Sequence, residues 1–453
     1  MLGVFTVDKR IPPQFIFTRE SVFRYEQSTT KQIQSFHLRY YIDNVIINNI
    51  IITIMPSAIR RQRTIVSSLC HNPQEGDQQQ QQQQQRPWDT LGPPTNPLKI
   101  DEPKYELGYR RRVLCYDPPT ETYEYYDNVL IRDTNEISEY DVYYTVPDRA
   151  KITTKSGWIE ICHVLKKRRI VQPQDNDGNV DRACHGGECV FEMTTDCVAV
   201  KVSKVERIAK MRQDHEKEDA LREIAILQLL GDDVEHVATC REVLFDPTNN
   251  SYHVVLPYFQ GGDLLEHLEV DRHVGEDAAR FLFREIMQGL RNLHDKGICH
   301  HDLSPENIMI HQGHAYIIDY GMSLRVPYDD KQQRCLIKRQ GTYGKIRYMS
   351  QEVYQNQDFD GEAIDVWSAG IVLWCMVTGY CSYQIPHRTD GLFYHMTTRG
   401  NFPKLLKSYG CALSYDCADL LESMLQVDPR ERLSIDEVLQ HPWLRDSSVD
   451  PVE

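Results

Sequence analysis

The most informative part of the sequence is a polar stretch followed by apolar residues, HHDLSPEN at residues 300–307 and then IMI at 308–310. The apolar run predicts a β-strand, so the polar residues before it are expected to form a tight loop. Within this loop Asp302 and Asn307 lie five positions apart. A carboxylate and a carboxamide on one loop can accept a proton and bind a hard cation together. The stretch therefore predicts a site of chemistry rather than a simple turn.

A second motif lies shortly downstream. The sequence reads IIDYG at 317–321, a predicted strand that ends in Asp319, twelve residues after Asn307, and is followed by a tyrosine and a glycine. A carboxylate at the end of a strand can be a further Mg²⁺ ligand. One loop carboxylate is common in any protein, but the ordered set of Asp302, Asn307 and Asp319 is specific.

Two charged residues upstream complete the set. Lys201 ends the apolar stretch VAVK at 198–201, and Glu223 lies beside the apolar face of a helix predicted over 214–230. Each is a weak signal alone, because most strand-end lysines and helical glutamates are simply solvated. Phosphoryl transfer, however, needs a cation on the phosphates, metal ligands and an acceptor for the hydroxyl proton. The sequence supplies all of them in order, and it predicts that Glu223 pairs with Lys201.

The remaining periodicity predicts the fold class. Strand patterns dominate before residue 260, apart from the helix predicted over 214–230, and helical patterns dominate after it. This indicates an α+β fold with a small strand-rich lobe and a larger helical lobe. The predicted strands cover 157–171, 197–202 and 253–258, and the predicted helices cover 214–230, 276–295, 362–379, 415–426 and 434–444.

Bulk composition excludes some functions. Lys and Arg number 51 against 66 Asp and Glu, a formal net charge of −15, which argues against nucleic acid as the main partner. The apolar run at 45–55 is too short to span a membrane, which takes about 20 residues. The 13 cysteines are scattered, as is typical of reduced thiols in an intracellular protein, so we expect a cytoplasmic or nuclear location.

The motifs together resemble the eukaryotic protein kinase superfamily, of serine/threonine type and similar to the calcium/calmodulin-kinase-like members. The resemblance covers about residues 156–445, where it implies a two-lobed kinase domain that uses ATP and Mg²⁺. Before it we predict a mostly disordered region, 1–103, with a disordered linker over 70–103 that contains eight consecutive glutamines and many prolines. The tyrosine-rich extension 104–155 has no clear predicted structure, and 446–453 is a short tail.

Further motifs extend the resemblance toward the C-terminus. Residues 341–352 resemble the end of an activation segment, and DVWSAG at 365–370 resembles the helix that steadies the catalytic loop. Arg432 would pair with Glu352, and HPW at 441–443 resembles a closing helix of the calcium/calmodulin-kinase-like members.

The resemblance also implies a role for each site residue. Asp302 matches the catalytic base, Lys201 the lysine that anchors ATP, and Glu223 its helix partner. Asn307 and Asp319 match the metal ligands. The residues implied to bind the cofactor are Lys201, Leu256, Pro257, Phe259, Asp263, Asn307 and Asp319. Leu256 matches the gatekeeper, and adenine would bond the carbonyl of Pro257 and the N–H of Phe259, so the N–H that proline lacks is not needed.

The sequence also departs from the family pattern. The glycine-rich loop is missing, since GG at 186–187 does not fit its spacing. His301 replaces the arginine that reads an activation-loop phosphate, which predicts activity without loop phosphorylation. Ser304 replaces a lysine that helps to neutralise the transferred phosphoryl group. Two further changes, SQE at 350–352 for Ala-Pro-Glu and Tyr320 for phenylalanine, keep the essential charge and ring.

These observations predict a serine/threonine kinase that acts on protein substrates, with a preference for basic sequence context. Two alternatives stay open. The chain could be a pseudokinase that binds nucleotide weakly and acts as a scaffold, as Ser304 and the missing glycine loop would allow. It could also be an interaction protein in which the glutamine-tract region is the main functional part.

Overall fold

The computed structural model of the chain describes residues 91–133, 141–146, 149–168, 190–232, 234–271, 273–380 and 382–445. The apolar run at 45–55, the glutamine tract and the tail from 446 lie outside the described residues, so the predictions made for them stay predictions.

Strands dominate the first part of the described chain and helices the second. The strands are β1 Gly92–Thr95, β2 Glu106–Asp117, β3 Thr122–Arg132, β4 Val142–Thr145, β5 Ile152–Thr153, β6 Gly157–Arg168, β7 Val190–Lys204, β8 Glu242–Asp246, β9 Ser251–Pro257, β10 Ile298–Cys299, β11 Ile308–His311, β12 His314–Ile317, β13 Leu324–Arg325 and β14 Cys335–Ile337. The helices are α1 Val205–Gln213, α2 Ala220–Leu230, α3 Leu264–Asp271, α4 Glu276–Asp295, α5 Gln351–Tyr354, α6 Gly361–Thr378, α7 Gly391–Thr397, α8 Phe402–Ser408, α9 Tyr415–Met424, α10 Ile435–Leu439 and α11 Pro442–Arg445. The predicted two-lobed α+β fold is confirmed.

The strand-rich lobe is one eight-stranded sheet with the order β4-β3-β2-β8-β9-β7-β6-β5. Two additional pairings, β4 with β6 and β2 with β7, close five of these strands into a ring. Buried apolar side chains fill the ring, among them Cys115, Val129, Leu165 and Phe191. Closure removes exposed strand edges, which otherwise invite pairing with other chains. The strands β2 to β5, which make up much of the described part of the tyrosine-rich extension, therefore belong to the sheet.

The helical lobe is organised around α4 and α6. The buried residues of α4 recur at helical spacing, for example Ala279, Phe283 and Leu290, and face the core. Helix α6 is mostly apolar, and 89% of its 18 residues are buried within the protein. By length and composition alone α6 could cross a membrane, but its burial makes it the central helix of this lobe.

Residues 91–105 form an extended segment that we call the strap. β1 pairs in parallel with β14, and Leu98 bridges to Arg325 of β13. At the end of the strap, the backbone of Lys104 exchanges two hydrogen bonds of 2.9 and 2.6 Å with the side chain of Gln228 in α2. The linker predicted over 70–103 is therefore wrong for 91–103, because composition does not reveal backbone partners so distant in sequence.

Two helix predictions also differ from the structure. The helix predicted over 214–230 begins only at Ala220, because Asp219 accepts a hydrogen bond from the N–H of Leu221 and caps it there. A separate helix, α1, precedes it. The helix predicted over 434–444 is divided into α10 and α11, and Pro442 begins the second of these, as proline favours a first helical turn.

Candidate active site

Lys201 and Glu223 form a buried ion pair between the sheet and α2. The Nζ atom of Lys201 donates to both carboxylate oxygens of Glu223 at 2.7 Å, and the two residues are only 8% and 6% exposed. The predicted pairing is present. Burial alone would lower the pKa of the Lys201 ammonium, but the carboxylates of Glu223 and Asp319 outweigh burial and raise it. Lys201 is therefore a permanent cation at physiological pH.

Asp319 follows β12 and is held near this cation. Its backbone has φ +65°, in the left-handed region that non-glycine residues adopt uncommonly. Its Oδ1 atom accepts the N–H of Gly321 at 3.1 Å. Burial works to raise the pKa of Asp319, but Lys201 and that N–H together hold it below its ordinary value. The side chain is accordingly a buried carboxylate available to a cation.

Tyr320, next to Asp319, fixes the conformation of this motif. The tyrosine is fully buried, and its hydroxyl donates to the backbone carbonyls of Ala238 at 3.0 Å and Ile317 at 2.9 Å. A phenylalanine ring could fill the same volume but could not make these bonds. The substitution noted in the sequence therefore adds hydrogen bonds that hold Asp319 in place.

The loop that contains Asp302 is fixed from beneath by Asp365 of α6. The carboxylate of Asp365 accepts the N–H groups of His300 at 2.7 Å and of His301 at 2.8 Å, and the ring of His294 lies 2.9 Å away. Burial would raise the pKa of Asp365, but His294 and the backbone bonds hold it below its ordinary value. The DVWSAG segment thus steadies the loop, as its resemblance implied.

Asn307 turns its carboxamide toward Asp302. Its Nδ2 group donates to the backbone carbonyl of Asp302 at 2.8 Å and approaches the Oδ2 atom at 3.3 Å. With the amide nitrogen so engaged, the amide oxygen is left for a ligand. Asn307 and Asp319 together offer oxygen donors, the kind of ligand that Mg²⁺ prefers. The ion usually takes its other ligands from phosphates and water. The residues present fit Mg²⁺, although no group of three His, Cys, Asp or Glu able to hold a metal occurs within the described ranges.

The predicted hinge lies at the end of β9, directly beside the strand of Lys201. Leu256 is opposite Ala199 and Pro257 is opposite Val198 in the β7–β9 pairing. Beyond the strand, the ring of Phe259 stacks on Tyr316 with 4.9 Å between centroids.

Asp263, predicted to bind the cofactor, lies just before α3. Its Oδ1 atom accepts the N–H of Glu266 at 2.9 Å. Burial raises the pKa of the Asp263 carboxyl, against the opposite effect of this bond. The structure therefore engages Asp263 as a helix cap, and a cofactor contact there stays a prediction.

The end of the activation segment is anchored by a second buried ion pair. Arg432 donates to the two oxygens of Glu352 at 2.9 and 3.3 Å, and also to the carbonyl of Ala363 at 2.7 Å. The Arg432 side chain is completely buried. The pair predicted from the sequence is present, and the planar guanidinium suits it because it can make two parallel bonds.

His301 is a neutral ring in a closed environment. Burial lowers its pKa to about 4, and its ring stacks on Phe359 at 5.3 Å between centroids. Neither ring nitrogen has a hydrogen-bond partner within the described part of the chain. An uncharged histidine cannot replace the guanidinium that attracts a phosphate in the family pattern.

Two lysines at the site were missed by the sequence analysis. Lys155 lies in the tight turn between β5 and β6, and its Nζ is 2.8 Å from Glu218. Glu218 packs closely against Gly321: a Cβ added at Gly321 would lie only 2.8 Å from the Cγ atom of Glu218. This turn therefore brings Lys155 close enough to Asp319 for the two charges to interact. The TTKSG turn at 153–157 was the available signal.

The second missed lysine is Lys345, in the activation segment. Its backbone N–H donates to Asp302 Oδ1 at 2.9 Å, and its Nζ donates to Ser304 Oγ at 2.6 Å. The sequence shows that Ser304 replaces a lysine, but it carries no signal that another lysine fills the gap.

Comparisons with known proteins agree with this geometry. A family model described as "Protein kinase domain" matches residues 185–444. The chain is 31% identical over 275 residues to CBL-interacting serine/threonine-protein kinase 16 of Arabidopsis thaliana, covering 59% of this chain and 55% of that protein. It is 36% identical over 200 residues to serine/threonine-protein kinase chk1 of Schizosaccharomyces pombe, covering 43% and 38%.

A third relative is the maternal embryonic leucine zipper kinase of Xenopus tropicalis, 32% identical over 244 residues, with 49% of this chain and 35% of that protein covered. The chain thus spans about half the length, or less, of the curated relatives it matches.

Proposed function

The chain belongs to the protein kinase family, and from this premise we propose that it is an active serine/threonine kinase that transfers the γ-phosphoryl group of ATP to protein hydroxyls. The observation that carries the proposal is the closed Lys201–Glu223 pair, in which both bonds are 2.7 Å long. Phosphoryl transfer in protein kinases requires this pair and the metal-binding aspartate to be in place together. Asp319 is held beside the same lysine, which supports a competent arrangement rather than a vestigial one.

In this proposal each residue has one task. Lys201 binds the phosphates of ATP, and Asp302 accepts the proton of the attacking hydroxyl. Asn307 and Asp319 would hold Mg²⁺, which when bound neutralises charge on the phosphates. The hinge residues Leu256 to Phe259 bind adenine.

We further propose that activity does not require phosphorylation of the activation segment. His301 is buried and neutral, so it offers no charge to a phosphate. Ser323 is completely buried and donates to the carbonyl of His300 at 3.1 Å, which leaves it unsuited to modification. Thr342 is exposed and is the residue to test. If Thr342→Ala abolished transfer and phosphatase treatment did the same, this part of the proposal would be wrong.

The alternative is a pseudokinase that keeps the fold as a scaffold. The specific observation in its favour is Ser304, which lacks the charge of the family lysine. Thermal unfolding with ATP, with and without Mg²⁺, separates weak from firm nucleotide binding, because a ligand of the native state raises its stability.

The substrate and location are also proposed on general grounds. The net charge of −15 favours substrates with basic residues near the acceptor. Cys115 and Cys162 are buried, and burial raises the pKa of each thiol to about 12, so both are unreactive thiols. Such thiols are typical of the cytoplasm or nucleus.

The deciding experiment measures ATP-dependent phosphorylation of a basic peptide that contains one serine by the purified full chain. Asp302→Asn removes the proposed base while keeping the shape of the side chain, and we expect it to abolish transfer. Asp330→Asn, at an exposed position outside the site, is the matched control. Equal transfer by wild type and Asp302→Asn would refute the role of Asp302. No transfer by either, despite Mg²⁺-dependent ATP binding, would favour the pseudokinase.

A further inference from the structure

Lys345 places its ammonium group beside the proposed catalytic base, among polar groups of the catalytic loop. Its Nζ atom is 3.6 Å from Asp302 Oδ2, 2.6 Å from Ser304 Oγ and 4.0 Å from Glu306 Oε2. The Lys345 side chain is 36% exposed while that of Asp302 is 15% exposed. The ammonium therefore sits at the mouth of the site, where it can contact both the loop and an entering substrate.

Ser304 stands where the family pattern has a lysine, so this position of the catalytic loop lacks that positive charge. It is completely buried, and a lysine side chain there would compete for the volume that the Lys345 ammonium now fills. The two residues thus form one polar pair at 2.6 Å, with the hydroxyl on the catalytic loop and the ammonium on the activation segment. The charge is present, but a different segment of the chain provides it.

We propose that Lys345 is a catalytic residue that binds the transferring phosphoryl group, replacing the cation that Ser304 cannot supply. The inference rests on the proposed kinase function. In the step, the bond between the γ-phosphorus and the oxygen bridging to ADP breaks, and ADP leaves with the electron pair. A bond forms from the substrate oxygen to phosphorus, and the hydroxyl proton passes to Asp302. A cation 3.6 Å from Asp302 Oδ2 lies within reach of the equatorial oxygens, where negative charge spreads.

The position of Lys345 depends on close docking of the activation segment. Its N–H donates to Asp302 Oδ1 at 2.9 Å. Gly344, just before it, has φ +88°, and a Cβ there would lie 3.0 Å from the carbonyl oxygen of His301 and 3.1 Å from Asp302 Oδ1. Only glycine allows this approach without strain. The cation therefore reaches the site only when the segment is docked, which couples segment order to catalysis without a phosphate.

The test compares Lys345→Met, Lys345→Arg and the double variant Ser304→Lys/Lys345→Thr in the full chain. Lys338→Met is the matched control, since Lys338 is an exposed lysine of the same segment. Peptide phosphorylation gives kcat and the KM for ATP, and Mg²⁺–ATP thermal shift verifies that each variant folds and binds nucleotide. We expect Lys345→Met to lower kcat about a hundredfold to a thousandfold with little change in the KM for ATP, as for loss of one transition-state donor.

Lys345→Arg should keep a higher kcat than Lys345→Met, and the double variant should have a kcat at least tenfold higher than that of Lys345→Met. If Lys345 only packed the segment, a lysine at position 304 would not restore the kcat lost on its replacement. If Lys345→Met binds ATP and keeps kcat within threefold of the wild type, or if neither Lys345→Arg nor the double variant restores a lost kcat, the inference is wrong while the kinase function stands. If the wild type itself does not transfer phosphate, the proposed function fails and the inference fails with it.

Discussion

The buried ring of His301 should make the stability of this protein depend on pH. Burial lowers its pKa from 6.5 to about 4, so the unfolded chain binds a proton in a pH range where the native protein does not. Stability is then fully present above pH 6.5 and is lost as the pH falls toward 4. His253, only 2% exposed and with a pKa also lowered to about 4, acts in the same direction.

The expected size follows from these pKa values. Between pH 7.5 and pH 5, one such histidine reduces the free energy of unfolding by about 2 kcal/mol, since each pKa unit corresponds to about 1.4 kcal/mol. The two rings together contribute about 4 kcal/mol. His301→Phe keeps an aromatic ring to stack on Phe359 but cannot titrate, so it should halve the loss of unfolding free energy that the two histidines cause between pH 7.5 and pH 5.

The assay is urea unfolding at pH 7.5 and pH 5 for the wild type, His301→Phe and His253→Phe, with His273→Phe as the control at an exposed position. Carboxylates contribute equally to all four proteins and cancel in the comparison. If His301→Phe loses as much stability on acidification as the wild type, His301 is not a buried neutral ring, and the argument against a phosphate-reading role loses its basis.

Three further changes test the contacts that hold the site. Arg432→Met leaves Glu352 buried without its partner and should cost about 3 to 5 kcal/mol in urea unfolding; a loss under 1 kcal/mol would mean that the pair is solvated. Tyr320→Phe removes the two hydroxyl bonds and should cost about 1 kcal/mol with a moderate fall in kcat; an unchanged midpoint and rate would show that the bonds are not made in solution. Gln228→Ala releases the strap at Lys104 and should speed limited proteolysis within 91–104 without unfolding the protein. Equal cleavage rates would show that the strap is held elsewhere.

The parts of the site that the sequence predicted are those whose chemistry is local. Asp302, Asn307 and Asp319 are recognisable because short loops and adjacent strands place them, and their spacing is readable along the chain. The Lys201–Glu223 pair was predictable because a strand and an amphipathic helix restrict where both side chains point. The roles assigned to all five residues stay proposals until they are tested.

The parts that were missed depend on distant contacts. Lys345 is 41 residues from Ser304, and nothing near either residue indicates that one supplies what the other lacks. The composition of residues 70–103, with its prolines and glutamine run, predicts a linker, while the partners of the strap in β14 and α2 lie far along the chain. Backbone pairing over such separations follows from tertiary structure rather than from local propensity.

The strap also has a consequence for how the chain folds. Gly92 pairs with Cys335, so β1 leaves the ribosome long before its partner strand exists. Contacts between residues so distant in sequence form slowly, because a long loop must close first. Docking of the activation segment is accordingly expected among the last folding events. Until β14 has been synthesised, β1 is an unpaired strand, and its Pro93 and Pro94 have no N–H to donate and so limit pairing with a wrong strand. The prolines that suggested disorder would then protect an edge strand during synthesis.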